Sequence, residues 1–251
     1  MKLGLIGAGN MASSLARGIG EPALVYDIDE AKAKALAEEL GGEAVGSNAE
    51  LAERADVLLL CHKPKQLEEV AGEVGRANAV VSILAATPTE KLAAAYPGAS
   101  IYRFIPNMAA EVRRGVLCYV PGPGAEDGPE GEILDLMGRA GTVIRLDDEP
   151  LIEPAMALMS CGPAFLALVA ETFAEAGAAH GLDPHDAMRM VVETMGGTAA
   201  YLAEHGYDGP ELRKRVATPG GTTERGLITL EERGLRDVTR AAVDAVVEAT
   251  R

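Results

Sequence analysis

One loop in the last third of the chain combines a turn, two glycines and three hydroxyl side chains. Its residues are Thr218, Pro219, Gly220, Gly221, Thr222 and Thr223, and a helical pattern follows them. Proline fixes one φ angle, glycines let the backbone approach a ligand closely, and a threonine can cap the following helix. Because a helix N-terminus presents unpaired N–H groups and a partial positive charge, such a loop suits a carboxylate or a phosphate. Taken alone, the pattern is equally typical of an ordinary Pro-Gly turn.

A second glycine pattern lies at the other end of the chain. Residues 2–6 read as a strand and run directly into Gly7, Gly9 and Ala12 at the start of a helical pattern. This spacing fits the dinucleotide fingerprint, in which small residues allow a tight turn, approach of the backbone to a pyrophosphate, and close packing of helix on strand. A second predicted strand ends at Asp27, roughly 20 residues after the first glycine, where an acid that binds ribose is expected. The alternative is a strand-to-helix turn that binds no nucleotide.

Composition is typical of a soluble enzyme. The 251 residues are 48% hydrophobic, which is ample for a sizeable core, and the formal net charge is −15. An acidic chain is a poor partner for nucleic acid or an anionic membrane. Cys61, Cys118 and Cys161 show neither a disulfide framework nor the spacing of metal ligands, so we expect no metal site and a cytoplasmic location.

The first half of the chain alternates apolar runs with amphipathic helical patterns. Predicted strands cover residues 55–61, 79–84 and 100–104, and further strands are expected at 115–120 and 142–146. Continuous apolar strands separated by helices predict a parallel sheet that is covered on both faces. We therefore expect an α/β fold with a Rossmann-like, doubly wound sheet.

From about residue 148 onward the pattern is helical only. Helices are predicted over residues 151–179, 184–204, 209–217 and 222–251, the last with a break near Gly234. These helices are apolar on several faces, so they must be buried somewhere. Dimerisation through them is the economical inference, and docking on the sheet of the same chain is the alternative.

These patterns divide the chain into two domains. Residues 1–147 form the predicted dinucleotide-binding domain, and residues 148–251 form an all-helical domain for dimerisation and substrate binding. The longest uncharged stretch, residues 154–170, contains a Gly-Pro pair and is expected to fall short of a membrane span.

In sequence order, five landmarks resemble the pyrroline-5-carboxylate reductases of proline biosynthesis. The landmarks are Gly7-Ala8-Gly9-Asn10-Met11-Ala12, His62-Lys63-Pro64, Arg103-Phe104-Ile105-Pro106-Asn107, Gly162-Pro163-Ala164-Phe165 and Thr218-Pro219-Gly220-Gly221-Thr222-Thr223. The resemblance implies an oxidoreductase that uses NADPH or NADH to reduce the C=N bond of 1-pyrroline-5-carboxylate to L-proline. It also implies a homodimer of intertwined C-terminal helices whose substrate site both chains complete. In that family dimers often assemble further into decamers.

The resemblance also implies roles for individual residues. The substrate is a small anionic cyclic imine, and Gly220, Gly221, Thr222 and Thr223 resemble the clamp for its carboxylate. The Thr223 hydroxyl matches the catalytic group that reaches the ring nitrogen. The residues expected at the cofactor are Gly7, Gly9, Asn10, Met11, Asp27, Asn48, Lys63, Pro64 and Asn107. The alternative for Lys63 is a solvated lysine at a strand end, and for Asn107 an asparagine in a turn.

Two departures from the family pattern bear on activity. Met159, Cys161 and Phe165 stand where the family usually has two serines and a tyrosine, which predicts weaker catalysis or a different imine. Asp27 stands where many members accept a 2′-phosphate, and a carboxylate there favours NADH over NADPH, although Lys32 and Lys34 offset part of the repulsion.

Two alternative functions stay open at this point. One is a related imine or carbonyl reductase, such as a hydroxyacid dehydrogenase. Hydroxyacid dehydrogenases usually place a catalytic lysine on the long interdomain helix. No lysine occurs between residues 151 and 180, which argues against that enzyme class. The other is a catalytically weak, nucleotide-binding regulatory paralogue of the kind associated with late-competence operons, which has a similar Ser-Cys-Gly-Pro-Ala-Phe run. The intact loop at residues 218–223 argues against that alternative.

Overall fold

The computed structural model describes residues 1–250 and divides into two compact units, Met1–Pro163 and Ala164–Ala249. The first unit carries a sheet with helices, and the second is helical. The border between the units lies C-terminal to the predicted division after residue 147, because the intervening segment packs on the first unit. Where the functional domains divide stays a prediction.

The sheet of the first unit has eight strands in the order β3-β2-β1-β4-β5-β6-β7-β8. The strands are β1 Leu3–Ile6, β2 Ala23–Tyr26, β3 Glu43–Ala44, β4 Val57–Leu60, β5 Ala79–Ser82, β6 Ser100–Pro106, β7 Gly115–Pro121 and β8 Gly141–Arg145. All neighbours pair in parallel except β6 and β7, which are antiparallel. The predicted parallel sheet is thus confirmed as a mostly parallel one, with a single antiparallel pair among the described strands that the sequence pattern did not predict. The short link between β6 and β7 allows this reversal, since a parallel crossover needs a dozen or more residues.

The helices connect these strands and then fill the second unit. They are α1 Asn10–Ile19, α2 Glu30–Glu39, α3 Asn48–Arg54, α4 Leu67–Val74, α5 Thr89–Ala95, α6 Glu130–Gly138, α7 Ile152–Ala155, α8 Gly162–Ala179, α9 Pro184–Glu204, α10 Gly209–Val216, α11 Thr222–Glu232 and α12 Leu235–Ala249. The predicted break near Gly234 is confirmed between α11 and α12.

Apolar side chains form a core on each face of the sheet. Along β4, Val57 and Leu59 belong to one core, and Leu58 and Leu60 belong to the other. Successive side chains of a strand point to opposite faces, so a strand that is apolar throughout serves both cores. Each buried leucine contributes about 1.5–3 kcal/mol relative to exposure. This confirms the doubly wound, Rossmann-like architecture.

An ion pair fastens the start of the helical segment to the sheet. Arg103 on β6 is buried, and its guanidinium donates to Glu149 Oε1 at 2.7 Å. The backbone N–H and the hydroxyl of Thr89 also donate to the Glu149 carboxylate, at 2.9 and 3.0 Å. Burial disfavours the ionised Glu149, but the hydrogen bonds from Arg103 and Thr89 outweigh it and lower the pKa of this carboxyl group.

A long helical run joins the two units in sequence. It extends over Glu149–Ala179 and, by length and composition alone, is apolar enough to cross a membrane. This corrects the expectation that the uncharged stretch is too short, because the helix continues beyond the Gly162-Pro163 pair. A core helix of a soluble protein passes the same test, so length and composition carry little weight here.

The helical unit leaves most of its apolar side chains exposed. Among the described residues 164–249, those classed as buried are Ala170, Ala174 and Ala187. Large apolar side chains are exposed instead, and these include Leu166, Leu168, Phe173, Met190, Val192, Ile228 and Val238. An exposed apolar surface of this kind is typical of an interaction face.

We expect Glu149→Gln to lower the free energy of unfolding at pH 7 by about 1–3 kcal/mol, because Arg103 would lose its charged acceptor. The Glu149 pKa is lower in the folded chain than in the unfolded one, so its contribution is complete above the ordinary carboxyl pKa. It is then lost as pH falls through the folded value. The difference in melting temperature between wild type and variant should therefore be constant above about pH 5 and shrink as the pH falls below the ordinary carboxyl pKa of about 4. Glu153→Gln is the matched control, and an equal effect of both substitutions would contradict a role of the ion pair.

Candidate functional site

The glycine loop between β1 and α1 places the N-terminus of α1, which no side chain caps, at the carboxyl ends of the strands. Gly7 has φ +104°, and its N–H donates to Tyr26 C=O at 2.8 Å, which ties the loop to β2. A Cβ at Gly7 would lie 2.9 Å from the backbone carbon of Cys61, whereas a Cβ at Gly9 would meet no atom within 4 Å. Gly9 is the N-cap of α1 and provides no capping side chain. The first amides of α1 are therefore available to an anion, and the space beside Gly9 is open.

A cavity of about 420 Å³ lies beside this loop, where β1, β2 and β4 end. Five of the nine residues predicted at the cofactor line it, namely Gly7, Gly9, Asp27, Asn48 and Lys63. Asn10, Met11, Pro64 and Asn107 do not line it. In open α/β sheets, ligands bind at the carboxyl ends of strands, and this cavity lies in that position.

Asp27 fastens the glycine loop from the end of β2. Its carboxylate accepts hydrogen bonds from the Ala8 N–H at 2.7 Å and the Asp29 N–H at 2.8 Å. The two lysines that were expected to offset its charge are paired with other carboxylates. Lys32 lies 3.3 Å from Asp29, and Lys34 lies 3.3 Å from Glu30 on the exposed side of α2. Neither lysine therefore forms an ion pair with the Asp27 carboxylate.

Two buried polar atoms on residues that line the cavity have no protein partner. Asn48 is buried, and its Nδ2 donates to Glu73 at 2.7 Å, while its Oδ1 is unpartnered. His62 Nδ1 lies 3.0 Å from Lys63 C=O, while its Nε2 is unpartnered. Burial lowers the pKa of His62 and raises that of the neighbouring Cys61 thiol, so both side chains are uncharged near neutral pH. Unpartnered acceptors and an open space beside a glycine fit a nucleotide that brings hydroxyl and amino groups.

Lys63 and Pro64 form the turn after β4. Gln66 Oε1 accepts a hydrogen bond from the Lys63 N–H at 3.2 Å, and Pro64 begins a single 3-10 turn, Pro64–Gln66. The Lys63 side chain is exposed, so both the predicted role at the cofactor and the solvated alternative stay open for it.

Asn107 holds the helical segment that follows the sheet. Its Nδ2 donates to Met159 C=O at 2.9 Å, and its Oδ1 accepts from the Val116 N–H at 3.2 Å. Met159 lies in a π-helical turn, Met156–Ser160, which frees carbonyl groups from the usual ladder. The Asn107 side chain thus joins β6, β7 and this turn, and its contact with a cofactor stays a prediction.

The loop expected to clamp a carboxylate already holds one of its own. Gly220 has φ +73°, and its N–H donates to Glu224 Oε2 at 2.7 Å. Gly221 is the N-cap of α11 without a capping side chain, and Thr222 and Thr223 form the exposed first turn. The contact with Glu224 demonstrates that this loop can bind a carboxylate oxygen. Whether the substrate binds here stays a prediction.

The basic residues Arg213, Lys214 and Arg215 end α10 just before this loop, where they could steer an anionic substrate or serve a structural role. Arg213 pairs with Glu231 at 3.5 Å, and Arg215 lies over the Tyr201 ring at 5.6 Å and donates to its hydroxyl. Two of the three basic residues are therefore tied to neighbouring helices. This pairing favours a structural role for them over steering of a substrate.

Two residues of interest were given no role from the sequence. His62 lies within a landmark, but its adjacency to Lys63 does not reveal an unpartnered nitrogen. Glu224 stands two residues after Thr222, and a carboxylate in the first turn of a helix is a common stabilising feature. Only the hydrogen bond to Gly220 distinguishes it.

One group of potential metal ligands occurs among the described residues, formed by Asp183, His185 and Asp186. All three are exposed, and the Asp183 carboxylate accepts from the N–H groups of the other two as the N-cap of α9. This geometry is that of an ordinary cap.

Comparisons with known proteins bear on both units. A family model described as pyrroline-5-carboxylate reductase dimerisation matches residues 149–251, and one described as NADP oxidoreductase coenzyme F420-dependent matches residues 2–86. A pyrroline-5-carboxylate reductase of Methanosarcina acetivorans is 31% identical over 99% of this chain and 95% of its own length. The chain belongs to the pyrroline-5-carboxylate reductase family. The dimerisation model also covers the apolar run Glu149–Ala179, which makes a dimer helix the better explanation of that run.

Other members of the pyrroline-5-carboxylate reductase family agree over the full length. The reductase of Pseudomonas aeruginosa is 31% identical over 97% of this chain and 93% of its own. The solved structure of the Coxiella burnetii reductase superposes with a TM-score of 0.90 at 27% identity, covering 99% of this chain and 97% of that one. A Plasmodium falciparum structure with NADP bound has the same fold, with a TM-score of 0.85 at 24% identity and coverage of 100% and 97%.

Substitutions at the two glycines should separate fold from binding. We expect Gly9→Ala to leave the melting temperature nearly unchanged and to weaken dinucleotide binding at least tenfold, because the new methyl group enters open space beside the helix amides. Gly7→Ala should instead destabilise the chain by about 1–3 kcal/mol, because φ is positive and the methyl group meets Cys61. Calorimetric titration with NAD⁺ and thermal unfolding measure the two effects. Unchanged binding by Gly9→Ala would contradict the placement of the pyrophosphate.

Proposed function

We propose that the chain reduces the C=N bond of 1-pyrroline-5-carboxylate to L-proline with a nicotinamide dinucleotide. Relatives that carry this name match it over almost the whole length. The observation that carries the proposal within the structure is the Gly220 N–H, which holds a carboxylate oxygen at the start of α11. A cyclic imine with one carboxylate needs such a holder, and a general reductase of uncharged imines does not.

The reaction sets two tasks for the protein. The bound dinucleotide supplies a hydride to the imine carbon. The chain must fix the orientation of the substrate and favour the protonated iminium, and no strong base is needed. Orientation comes from the substrate carboxylate at the Gly220 N–H and at the amides of Thr222 and Thr223, which lie at the positive end of α11. The predicted contribution of Gly221 requires a local rearrangement, because its N–H donates to Thr218 C=O at 2.9 Å.

Thr223 is the proposed catalytic residue. It is exposed in the first turn of α11, so its hydroxyl is available to a ligand held by the preceding glycines. A hydroxyl can act as both donor and acceptor, which suits a ring nitrogen whose protonation state changes during reduction. The internal carboxylate of Glu224 must leave the Gly220 amide when the substrate binds.

We further propose that NADH is preferred over NADPH. Asp27 lies at the end of β2, where a ribose-binding acid is expected, and its charge repels a 2′-phosphate. The cations that would receive this phosphate are paired, Lys32 with Asp29 and Lys34 with Glu30. The unpartnered acceptor at Asn48 also matches a free hydroxyl better than a phosphate.

The active form is proposed to be a homodimer formed through the C-terminal helices, and assembly into a decamer is compatible with it. Support comes from the dimerisation model over residues 149–251 and from the exposed apolar side chains of the helical unit. We propose a cytoplasmic location, in keeping with three free cysteines.

The remaining alternative functions are less well supported. A weak regulatory paralogue was motivated by Met159, Cys161 and Phe165. In the structure Met159 is buried in a π-helical turn that Asn107 holds in place, so its side chain has a packing role. Full-length relatives named as reductases favour catalysis.

The proposed activity is tested by following NADH and NADPH oxidation with 1-pyrroline-5-carboxylate. Thr223→Ala should lower kcat about a hundredfold, because it removes a hydroxyl that acts at the reacting nitrogen, and Thr223→Ser should restore most of it. Thr229→Ala, on the same helix with its hydroxyl bonded to Arg225 C=O, is the control and should retain full activity. Wild type that binds the dinucleotide and shows no turnover would refute the proposed reaction.

Cofactor preference is tested by Asp27→Asn, which removes the charge and keeps the size. The ratio of the NADP⁺ to the NAD⁺ dissociation constant should fall about tenfold, since repulsion of the phosphate is relieved. Asp135→Asn, exposed on α6, controls for the net charge and should leave the ratio unchanged. Tighter binding of NADP⁺ than of NAD⁺ by wild type would contradict the proposed preference for NADH over NADPH.

A further inference from the structure

Unpartnered polar atoms are concentrated at the dinucleotide cavity. In the described part of the chain four buried side-chain nitrogen or oxygen atoms lack a hydrogen-bond partner, and two of them, Asn48 Oδ1 and His62 Nε2, belong to residues that line this one cavity. A buried polar atom without a partner costs about 1–3 kcal/mol, so such atoms are rare unless a ligand satisfies them. Asn48 is already expected at the cofactor, whereas His62 has no assigned role.

The hydrogen bond of the other ring nitrogen defines what Nε2 can do. Nδ1 lies 3.0 Å from Lys63 C=O, and a carbonyl oxygen can only accept, so the hydrogen is on Nδ1. Burial lowers the pKa of His62, which keeps the ring neutral near pH 7. In a neutral ring with its hydrogen on Nδ1, Nε2 carries a lone pair and is an acceptor.

Two other residues on the cavity wall also present acceptors, although Lys32 and Lys63 line the same cavity as donors. Asn48 presents its oxygen because its Nδ2 is committed to Glu73, and Asp27 presents a carboxylate. A ligand that satisfies the acceptors of His62, Asn48 and Asp27 must bring N–H or O–H donors. The adenosine half of a dinucleotide has them, in the 6-amino group of the base and the ribose hydroxyls, whereas an ionised phosphate has none.

We propose that His62 is a specificity-determining residue that binds the adenosine half of the cofactor by accepting a hydrogen bond at Nε2. This role rests on the dinucleotide binding proposed above. Water does not reach Nε2 in the unliganded chain, so the ligand must displace part of its surroundings. A donor that arrives there then meets no competition from water, which makes the bond selective for adenosine-type donors and adverse to a phosphate.

The proposal is tested by calorimetric titration of wild type, His62→Phe and His62→Gln at pH 8. His62→Phe keeps the ring shape without an acceptor and should weaken NAD⁺ binding roughly three- to tenfold, the range for one net hydrogen bond. His62→Gln restores an acceptor and should recover part of the loss. His180→Phe, an exposed histidine of the helical unit, is the matched control and should bind as wild type.

A second ligand identifies which group of the adenosine half is the donor. Nicotinamide hypoxanthine dinucleotide lacks the 6-amino group and keeps the ribose hydroxyls. If the donor is the amino group, His62→Phe should leave binding of this analogue unchanged, and if the donor is a hydroxyl, it should weaken the analogue as much as NAD⁺. Either result supports the proposal. Equal NAD⁺ affinity of wild type and His62→Phe, with melting temperatures alike, would overturn it while leaving the proposed reaction intact.

A measurement on the wild-type chain guards against misfolded variants. The sequence has four histidines, and the other three, His180, His185 and His205, are exposed in the helical unit. In a ¹⁵N-histidine-labelled sample the Nε2 resonance of His62 should shift when NAD⁺ is added, as expected for an acceptor that gains a donor. A His62 resonance that does not move at saturating NAD⁺ would refute the contact. Failure of NAD⁺ and NADP⁺ to bind wild type at all would refute both this inference and the proposed reaction.

Discussion

Both proposed ligand positions depend on helix amides that no side chain caps. The N-caps of α1 and α11 are Gly9 and Gly221, which have extended backbones and offer no capping oxygen. By contrast, the N-caps of α2 and α9 are Asp29 and Asp183, whose carboxylates accept hydrogen bonds from the first-turn amides. An aspartate at either glycine would satisfy the same amides and repel an anionic ligand. The chain thus forgoes a stabilising cap of about 1 kcal/mol where binding is needed and keeps it elsewhere.

Much of the fold follows from local rules that the sequence displays. Seven of the eight strands and the main C-terminal helices were predicted because apolar periodicity and glycine positions act over a few residues. The strand β7 was predicted but its reversed direction was not, because strand direction depends on pairing with β6 and on the short connection between them. The two-residue strand β3 was missed because Glu43 and Ala44 carry no apolar pattern.

The sequence identified some residues of the candidate site but not the contacts that their side chains make. Gly7, Gly9 and Asp27 were found by spacing, since the glycine turn and the strand-end acid are fixed by the geometry of one βαβ unit. The hydrogen bonds of the Asn107 side chain could not be predicted from the sequence, because its partners Met159 and Val116 lie on different elements. The free Nε2 of His62 could not be inferred from sequence, because a missing partner is a property of all the surrounding residues together.

The helical unit buries few of its large apolar side chains within its own fold. Its buried side chains among residues 164–249 are alanines, while leucines, valines and a phenylalanine are exposed. Burying apolar surface contributes about 25 cal/mol per Å², so covering such a face in a dimer would add substantial stability. Membership of a family with a named dimerisation region agrees with this account.

The hydrogen bond between Gly220 and Glu224 would make the proposed binding of substrate at this loop an exchange of one carboxylate for another. Glu224 is attached only four residues away, so it competes at an effective concentration on the order of millimolar or higher. A free carboxylate at micromolar levels cannot displace it through the Gly220 amide alone. Under the proposed binding mode, occupancy of the loop would therefore require a ligand with a second point of attachment, and the loop would exclude the many simple carboxylic acids of a cell.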